Sequence, residues 1–318
     1  MKMSSMENTD YDSSRRQPLV SVGIPTFNRP EGLSRALECI QKQTYKNIEI
    51  IVSDNCSPGE AVNALMHSLA NNDRRIRYFR QKSNIGATAN FEFVLHESTG
   101  KYFFWAADDD LCDATFIQQI VEAMEENPEV VLCACDVKNI DDYDNLLEIS
   151  KLESIRISKD WKKARRAFFQ YPSPNIYHCI YGIFKAEALK ECGLQHTNGW
   201  NGIAIYTEGV FLARFSQWGR IVSIAEDLKS FRVHQASETS AAHKKMLIFD
   251  EVMLHLLNRI RLCSIALTTD CSWTSKLSLL WAVFISMLKN LKPPKFIVYS
   301  IPKRFRVWLK QNVLTFLR

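Results

Sequence analysis

Three consecutive aspartates, Asp108, Asp109 and Asp110, close an apolar, aromatic run in YFFWAADDDLCDATFI (residues 102–117) and lead into a helical pattern. Side-by-side carboxylates repel one another and resist burial without partners, so a positive group is expected against them. A hard divalent cation meets that need, because Mg²⁺ or Mn²⁺ takes oxygen ligands and is commonly shared between one or two carboxylates and a substrate's phosphates. The alternative is a solvated acidic turn, with Asp113 capping the helix that follows. Motifs for other phosphate chemistry are missing: the first strand-to-helix turn, IPTFNRPEGL, has no GxGxxG, and the chain has no GxxxxGK[ST]. A dinucleotide dehydrogenase or a P-loop NTPase is therefore not expected. Neither HExxH nor GxSxG occurs.

The elements that must carry these residues follow from periodicity. LVSVGIPTF (19–27) reads as a buried strand, after which Leu33, Ala36, Leu37 and Ile40 recur at helical spacing. The unit repeats: IEIIVSD (48–54) before a 59–71 helix, IRYFRQ (76–81) before 86–98, and KYFFWAA (101–107) before the helix of Phe116, Ile120 and Met124. EVVLCACDV (129–137) reads as a further strand, with Cys133 and Cys135 on one face. Near-continuous apolar strands alternating with helices predict an α/β fold with a mostly parallel sheet flanked by helices. In such sheets ligands lie beyond the carboxyl ends of the strands. Four polar clusters fall there, PTFNR, SDNCS, KSNIG and DDD, and they are expected to converge on one crevice.

After the acidic run IDDYDN (140–145), the second half reads as a basic helix, KDWKKARRAFF, then loop, strand and helix in YPSPNIYHCIYGIFKAEALKECG, then a helix in YTEGVFLARFSQWG. A short strand, RIVSIAE, and LKSFRVHQASETS complete it.

With these motifs in order, VSVGIPTFNRPEGLSRALECIQKQTYKNIEIIVSDNCS and then NIGATANFEFVLHESTGKYFFWAADDD, the sequence resembles the inverting family 2 glycosyltransferases of the bacterial cell-surface polysaccharide type, over roughly residues 19–240. The resemblance implies the GT-A fold, Rossmann-like, with a C-terminal helical extension here, and transfer of a sugar from a nucleoside-diphosphate sugar to a saccharide or lipid-linked saccharide. It makes WAADDD the DxD-type element: Asp108 and Asp109 on the nucleotide-sugar side, Asp109 and Asp110 on Mg²⁺ or Mn²⁺, with the working pair among the three left open. It puts Pro25, Thr26 and Asn28 in the first nucleotide loop and makes Asp54 the reader of the base. A carboxylate accepting the imide N–H of uracil or thymine favours UDP or dTDP, although guanine also offers ring donors. Asn84 and Gly86 match the N-x-G loop. In the segment FRVHQ, Arg232 is placed on the diphosphate and His234 on the metal or the phosphates.

An acceptor hydroxyl attacking an anomeric carbon must lose its proton as the bond forms, and a carboxylate on the side opposite the leaving diphosphate can accept it. The family's E-D-x-x-L-x-x-R pattern stands here as TEGVFLAR: Thr207 replaces the Glu, Glu208 takes the place of the catalytic Asp, and Arg214 matches the Arg. Glu is one methylene longer than Asp, so the helix start must shift to suit it; the plainer reading is a first-turn Glu favoured by the helix dipole. Glu226 and Asp227 form a second acidic pair that follows a strand. Trp200 and Asn201 lie just before Glu208, where an acceptor sugar would stack.

Composition bounds the setting. The 318 residues are 46% hydrophobic and 24% charged, ordinary for a globular enzyme. Nine cysteines without paired CxxC spacing read as reduced structural thiols. Residues 1–18 lack a secretory apolar stretch and read as a mobile tail, and no nucleic-acid partner is expected. The net charge of +5 hides an asymmetry: residues 271–318 hold nine Lys or Arg and no acid, so the remainder sums to −4. The apolar run 277–288 is too short to cross a bilayer. Aromatics mixed with cations in the 241–318 region instead suit an element lying on an anionic membrane surface. The expected organisation is therefore a glycosyltransferase domain over 19–240, with a nucleotide-sugar half (19–137) and an acceptor half (138–240), cytoplasmic and peripheral at the inner face of the membrane. Two other readings stand beside it. A nucleotidyltransferase acting on sugar phosphates should show a Gly- and basic-rich phosphate loop after the first strand, which PTFNRPEG is not; the other is an inactive nucleotide-sugar-binding protein at the membrane.

Overall fold

A computed structural model describes residues 17–108, 111–170, 175–194, 207–233 and 248–290. The first strands and helices alternate as their apolar runs require: β1 (Val20–Thr26), α1 (Pro30–Gln41), β2 (Ile48–Asp54), α2 (Ala61–Asn72), β3 (Ile76–Arg80), α3 (Ala87–His96) and β4 (Tyr102–Trp105). Pro30 opens α1, where its missing N–H costs nothing. The four positions expected on its inner face, Leu33, Ala36, Leu37 and Ile40, are all buried. Beyond the aspartates come β5 (Leu111–Cys112), α4 (Phe116–Glu126), β6 (Val130–Ala134), β7 (Val137–Ile140) and β8 (Leu146–Ser150). Then follow α5 (Trp161–Ala164), 3₁₀ turns at 165–169 and 176–181, β9 (Ile183–Lys185), α6 (Ala186–Cys192), α7 (Thr207–Phe215), β10 (Arg220–Ser223) and β11 (Lys229–Arg232). Two long helices, α8 (Ile248–Thr268) and α9 (Trp273–Asn290), complete the described chain.

The central sheet has seven strands in the order β10-β6-β9-β4-β1-β2-β3, parallel except for β9, which runs against β4 and β6. Strand side chains divide between two cores by the period of two: Tyr102 and Phe104 face the side covered by α1, α2 and α4, while Phe103 and Trp105 face the side of α3, α6 and α7. Gly23 in β1 is small because the Phe103 ring and Val94 fill the space where its Cβ would lie.

The stretch 129–137, expected as one strand, divides. Cys135 and Asp136 separate β6 from β7, which joins a second, four-stranded sheet in the order β5-β11-β7-β8. Cys133 and Cys135 nonetheless reach the same core. The acidic run at 140–145, read from sequence as a polar stretch, is the tight turn of the β7–β8 hairpin: Asp141 accepts from the N–H groups of Tyr143 and Asn145, and Asp144 takes φ 65°. The C-terminal helices pack on α7 and the 165–169 turn, and Leu262, Ala266, Leu279, Ala282 and Val283 extend the core of that side.

Candidate active site

Strand order reverses between β1 and β4, since β2 and β3 lie on one side and β9 on the other. A crevice at the strand carboxyl ends is expected at such a switch point. Thr26 ends β1 there, and its hydroxyl donates to Asp108 Oδ2 at 2.8 Å. The Arg29 guanidinium reaches Asp108 Oδ1 at 3.1 Å. Asp108, 8% exposed, thus has the positive partner that its burial demands, supplied by the chain itself. Helix α1 comes close enough that a Cβ at Gly32 would overlap the Asp108 carbonyl oxygen; only glycine permits this approach. Asp113 accepts from the N–H and hydroxyl of Thr115, and these bonds hold its carboxyl below the usual range.

The other clusters are laced to this point. Asn55 N–H donates to the Thr26 carbonyl at 2.9 Å, and Asn28 N–H donates to Ser57 Oγ at 2.7 Å. Asn28 adopts φ 55°, which asparagine tolerates better than most residues. Asn55 also donates to Asn84 Oδ1 at 3.1 Å and accepts from Ile85 N–H at 2.8 Å. Asn84 Oδ1 takes the Gly86 N–H at 2.9 Å, and Gly86 enters α3 at φ 85°, with open space where a Cβ would be. Pro25 lies beyond the last β1–β4 pair, where a missing N–H is tolerated. PTFNR, SDNCS, KSNIG and the first aspartate therefore share one hydrogen-bonded rim, as the fold class predicts.

Asp54 is fully buried at the end of β2. Ser57 occupies its Oδ1 through both N–H and hydroxyl. Its Oδ2 is held more loosely, by the Tyr78 hydroxyl at 3.4 Å and Arg80 Nε at 3.7 Å. Burial and the neighbouring Asp54 charge push the Tyr78 hydroxyl up to about 12, so it remains a donor.

Glu208 sits in the first turn of α7, which packs on the 176–181 turn. Burial raises its carboxyl above the ordinary range. Arg214, further along α7, lies over the Trp218 ring at 5.8 Å. Glu226 and Asp227 stand exposed in the β10–β11 loop, with Asp227 3.6 Å from Lys138. Arg232 ends β11 with its guanidinium turned to the β7–β8 hairpin: it donates to the Asp141 carbonyl at 2.8 Å and pairs with Asp144 at 2.6 Å. Asp109, Asp110, Trp200, Asn201 and His234 lie outside the described residues.

Two residues of this region, Gly32 and His178, carry no sequence signal, and Arg29 of PTFNR gave no sign of its pairing with Asp108. The His178 ring is buried between Tyr177 and Phe231, neither nitrogen has a hydrogen-bond partner among the described residues, and burial followed by the Lys229 charge lowers it to about 4, so it is neutral. Its neighbours come from a strand some fifty residues away, which no local pattern reveals.

The family model "Glycosyl transferase family 2" matches residues 21–193. Over 94 residues the chain is 37% identical to the GalNAc(5)-diNAcBac-PP-undecaprenol beta-1,3-glucosyltransferase of Campylobacter jejuni, covering 29% of this chain and 30% of that protein. It is 24% identical over 249 residues to an uncharacterized glycosyltransferase of Rickettsia typhi, 76% of this chain and 73% of the relative. Several curated relatives are much longer than the shared part, which spans 24%, 30% and 20% of three of them. Among solved structures, S. aureus TarS 1-349 in complex with UDP-GlcNAc superposes with TM-score 0.64 at 12% identity, over 92% of this chain and 78% of that one. At such identity the likeness establishes the fold, which is GT-A.

Proposed function

The chain belongs to glycosyltransferase family 2, and on that footing we propose that it moves a sugar, with inversion, from a UDP- or dTDP-sugar to a hydroxyl of a lipid-linked saccharide in surface polysaccharide assembly. The observation that carries this reading is the single rim at the β1/β4 switch point, where Thr26, Asn28, Asn55 and Asn84 are joined to a buried, partnered Asp108.

The nucleotide lies along that rim. Asp54 Oδ2, only loosely held, accepts the imide N–H of the base. Asn84 and Gly86 shape the ribose side, where the open space at Gly86 admits the ligand. Asp108, engaged through both oxygens by Thr26 and Arg29, positions the aspartate run rather than ligating directly. Asp109 and Asp110 then supply the hard oxygen donors that suit Mg²⁺ or Mn²⁺, joined by His234. A cation bound there supplies positive charge opposite the departing diphosphate. Across the crevice, Glu208 accepts the acceptor's proton as the new C–O bond forms and the bond to the diphosphate oxygen breaks. Burial makes it a stronger base than an ordinary glutamate. Trp200 and Asn201 hold the acceptor sugar, and Arg232 anchors the strand that delivers His234.

The same reading places the enzyme at the inner face of the cytoplasmic membrane. No helix among the described residues is long and apolar enough to cross a membrane. The outer face of α9 exposes Trp273, Leu277, Trp281 and Phe284, and α8 exposes Leu256 and Ile260. With the acid-free, basic 271–318 segment, this face suits anionic lipid. The undecaprenol-linked substrate named for the Campylobacter relative supports a lipid-linked acceptor.

A thermal-shift panel of UDP-, dTDP- and GDP-sugars, with Mn²⁺ or with EDTA, tests the donor. A UDP- or dTDP-sugar at a hundredfold excess over its Kd should raise Tm by about 5–10 °C with metal. The shift should vanish with EDTA and in Asp109→Asn/Asp110→Asn. A shift indifferent to both would remove the metal from the reading, and no shift with either nucleotide would remove the donor.

A further inference from the structure

Behind the aspartate loop lies a cluster that sugar transfer does not use. Cys39, near the end of α1, and Cys112, in β5 two residues past the aspartates, bring their sulfurs to 3.2 Å. The contact is built from both sides. Cys39 Sγ accepts the Cys112 N–H at 3.0 Å and lies 2.8 Å from the Cys112 carbonyl, to which its thiol can donate. Gln43, fully buried, fixes the β5 side by donating to Cys112 Sγ at 3.3 Å and to the Asp113 carbonyl at 2.7 Å, and by accepting from Ile117 N–H.

The third member is Lys229, which pairs with Cys112 in the β5–β11 register. Its ammonium is buried, donates to the Tyr181 carbonyl at 3.1 Å, and lies over the rings of Phe104, Phe116 and Tyr181. It has no carboxylate partner among the described residues. A buried cation without a counter-charge favours an anion beside it, and a thiolate supplies one. The hydrogen bond from the Cys112 thiol, then the Cys112 N–H and the Lys229 charge, outweigh burial and the nearby Asp113 and bring the Cys39 thiol to about 7. Cys39 is partly exposed, and a small pocket lined by Ala36, Ala107, Leu111, Cys112 and Lys229 lies beside its sulfur. Among the described residues no other pair of cysteine sulfurs is in hydrogen-bonding contact, and burial raises the thiols of Cys133, Cys135, Cys179 and Cys192 instead.

We propose that Cys39 and Cys112 are an oxidative modification site, a thiol pair that hydrogen peroxide converts to a reversible disulfide tying α1 to the strand that follows the aspartate loop. The Cys39 thiolate attacks one peroxide oxygen, the O–O bond breaks, and hydroxide leaves, giving a sulfenic acid at Cys39. The Cys112 sulfur then attacks the Cys39 sulfur, the S–O bond breaks, and the departing hydroxide takes the Cys112 proton as water. In sum two thiols lose two electrons and two protons, and peroxide becomes two waters. A dithiol reverses the bond by exchange. The sulfurs need approach by only about one ångström to reach bonding distance.

The test uses the full chain and stands apart from sugar transfer, so its failure leaves the proposed activity untouched. Brief treatment with stoichiometric peroxide, alkylation of the remaining thiols and peptide mass mapping should recover a 39–112 cross-linked peptide pair. Two fewer alkylated cysteines should be counted, both restored by dithiothreitol. In Cys112→Ser the chemistry should stop at a Cys39 sulfenic acid that dimedone captures, and Cys39→Ser should lose both products. A cross-link between other cysteines, or Cys39 left unmodified while others oxidise, would overturn the proposal. Dimedone labelling of Cys39 at equal rates in wild type and Cys112→Ser would also sink it, since Cys112 would then not be resolving the intermediate.

Discussion

A carboxyl whose environment raises its proton affinity has two measurable consequences, and Glu208 should show both. As the base it must be ionised, so the rate of transfer should rise with pH through a value above that of an ordinary glutamate. Glu208→Gln should lower kcat by about 10²–10⁴-fold, the usual worth of a positioned base, while the donor-induced thermal shift persists. The stability sign is the reverse. With the folded value above 4.5, the native state holds the proton more tightly than the unfolded chain. The associated stability is present below the unfolded value and lost as pH rises through the folded one. At pH 7 the variant should therefore melt at or above the wild-type temperature, and the gap should close near pH 4. A variant that transfers at the wild-type rate would move the base elsewhere. At this scale the sequence located carboxylates but not their partners. Asp108 announced its need for a cation, yet Thr26 and Arg29 lie 82 and 79 positions away. The hairpin contact of Arg232 with Asp144 is equally remote in the chain.

Elements were legible in proportion to how continuously they are buried. β1, β2 and β4 are apolar runs buried along nearly their whole length, and they and their helices stand where periodicity puts them. The second sheet was not legible. β5 has two residues, and β8 exposes Leu146, Leu147 and Ile149, so no alternation marks an inner face. These strands exist through long-range pairing, as of Lys229 with Cys112, which no window of sequence contains. The approach of α1 to the aspartate loop is another such feature, and Gly32 tests it. Gly32→Ala places a methyl on the Asp108 carbonyl, so helix and loop must part, at a cost of about 1–3 kcal/mol typical of overpacking. Urea unfolding should read that loss, and the donor-induced shift should fall as well. Gly59→Ala is the control, since its cost comes from the backbone alone, with φ 74° and open space around it, whereas Gly32 lies within α1 and meets a neighbouring carbonyl. It should lose stability but keep the donor shift. If Gly32→Ala keeps its full donor shift, the close approach does not position the loop.

For the molecule as a whole, α8 and α9 are part of the structure and also expose a large share of the apolar side chains at the surface of the described residues. Their inner residues complete one core, so removing 277–318 would delete Leu279, Ala282 and Val283, uncover the Leu262 and Ala266 side of that core, and confuse unfolding with lost binding. Two gentler changes separate the contributions to membrane contact. Truncation after residue 290 removes seven of the nine cations in 271–318 while keeping both helices. Leu277→Glu with Trp281→Glu places charge on side chains that are 62% and 57% exposed, which should leave Tm within a few degrees. If the surface lies on anionic lipid, the full chain should sediment with phosphatidylglycerol vesicles and not with phosphatidylcholine alone. The truncation should remove most of the salt-sensitive part, because screening acts over about 8 Å at physiological ionic strength. The double glutamate should weaken what remains in high salt, where only apolar insertion holds the protein. Equal sedimentation of all three proteins would separate this surface from the membrane and leave its apolar stripe to another partner.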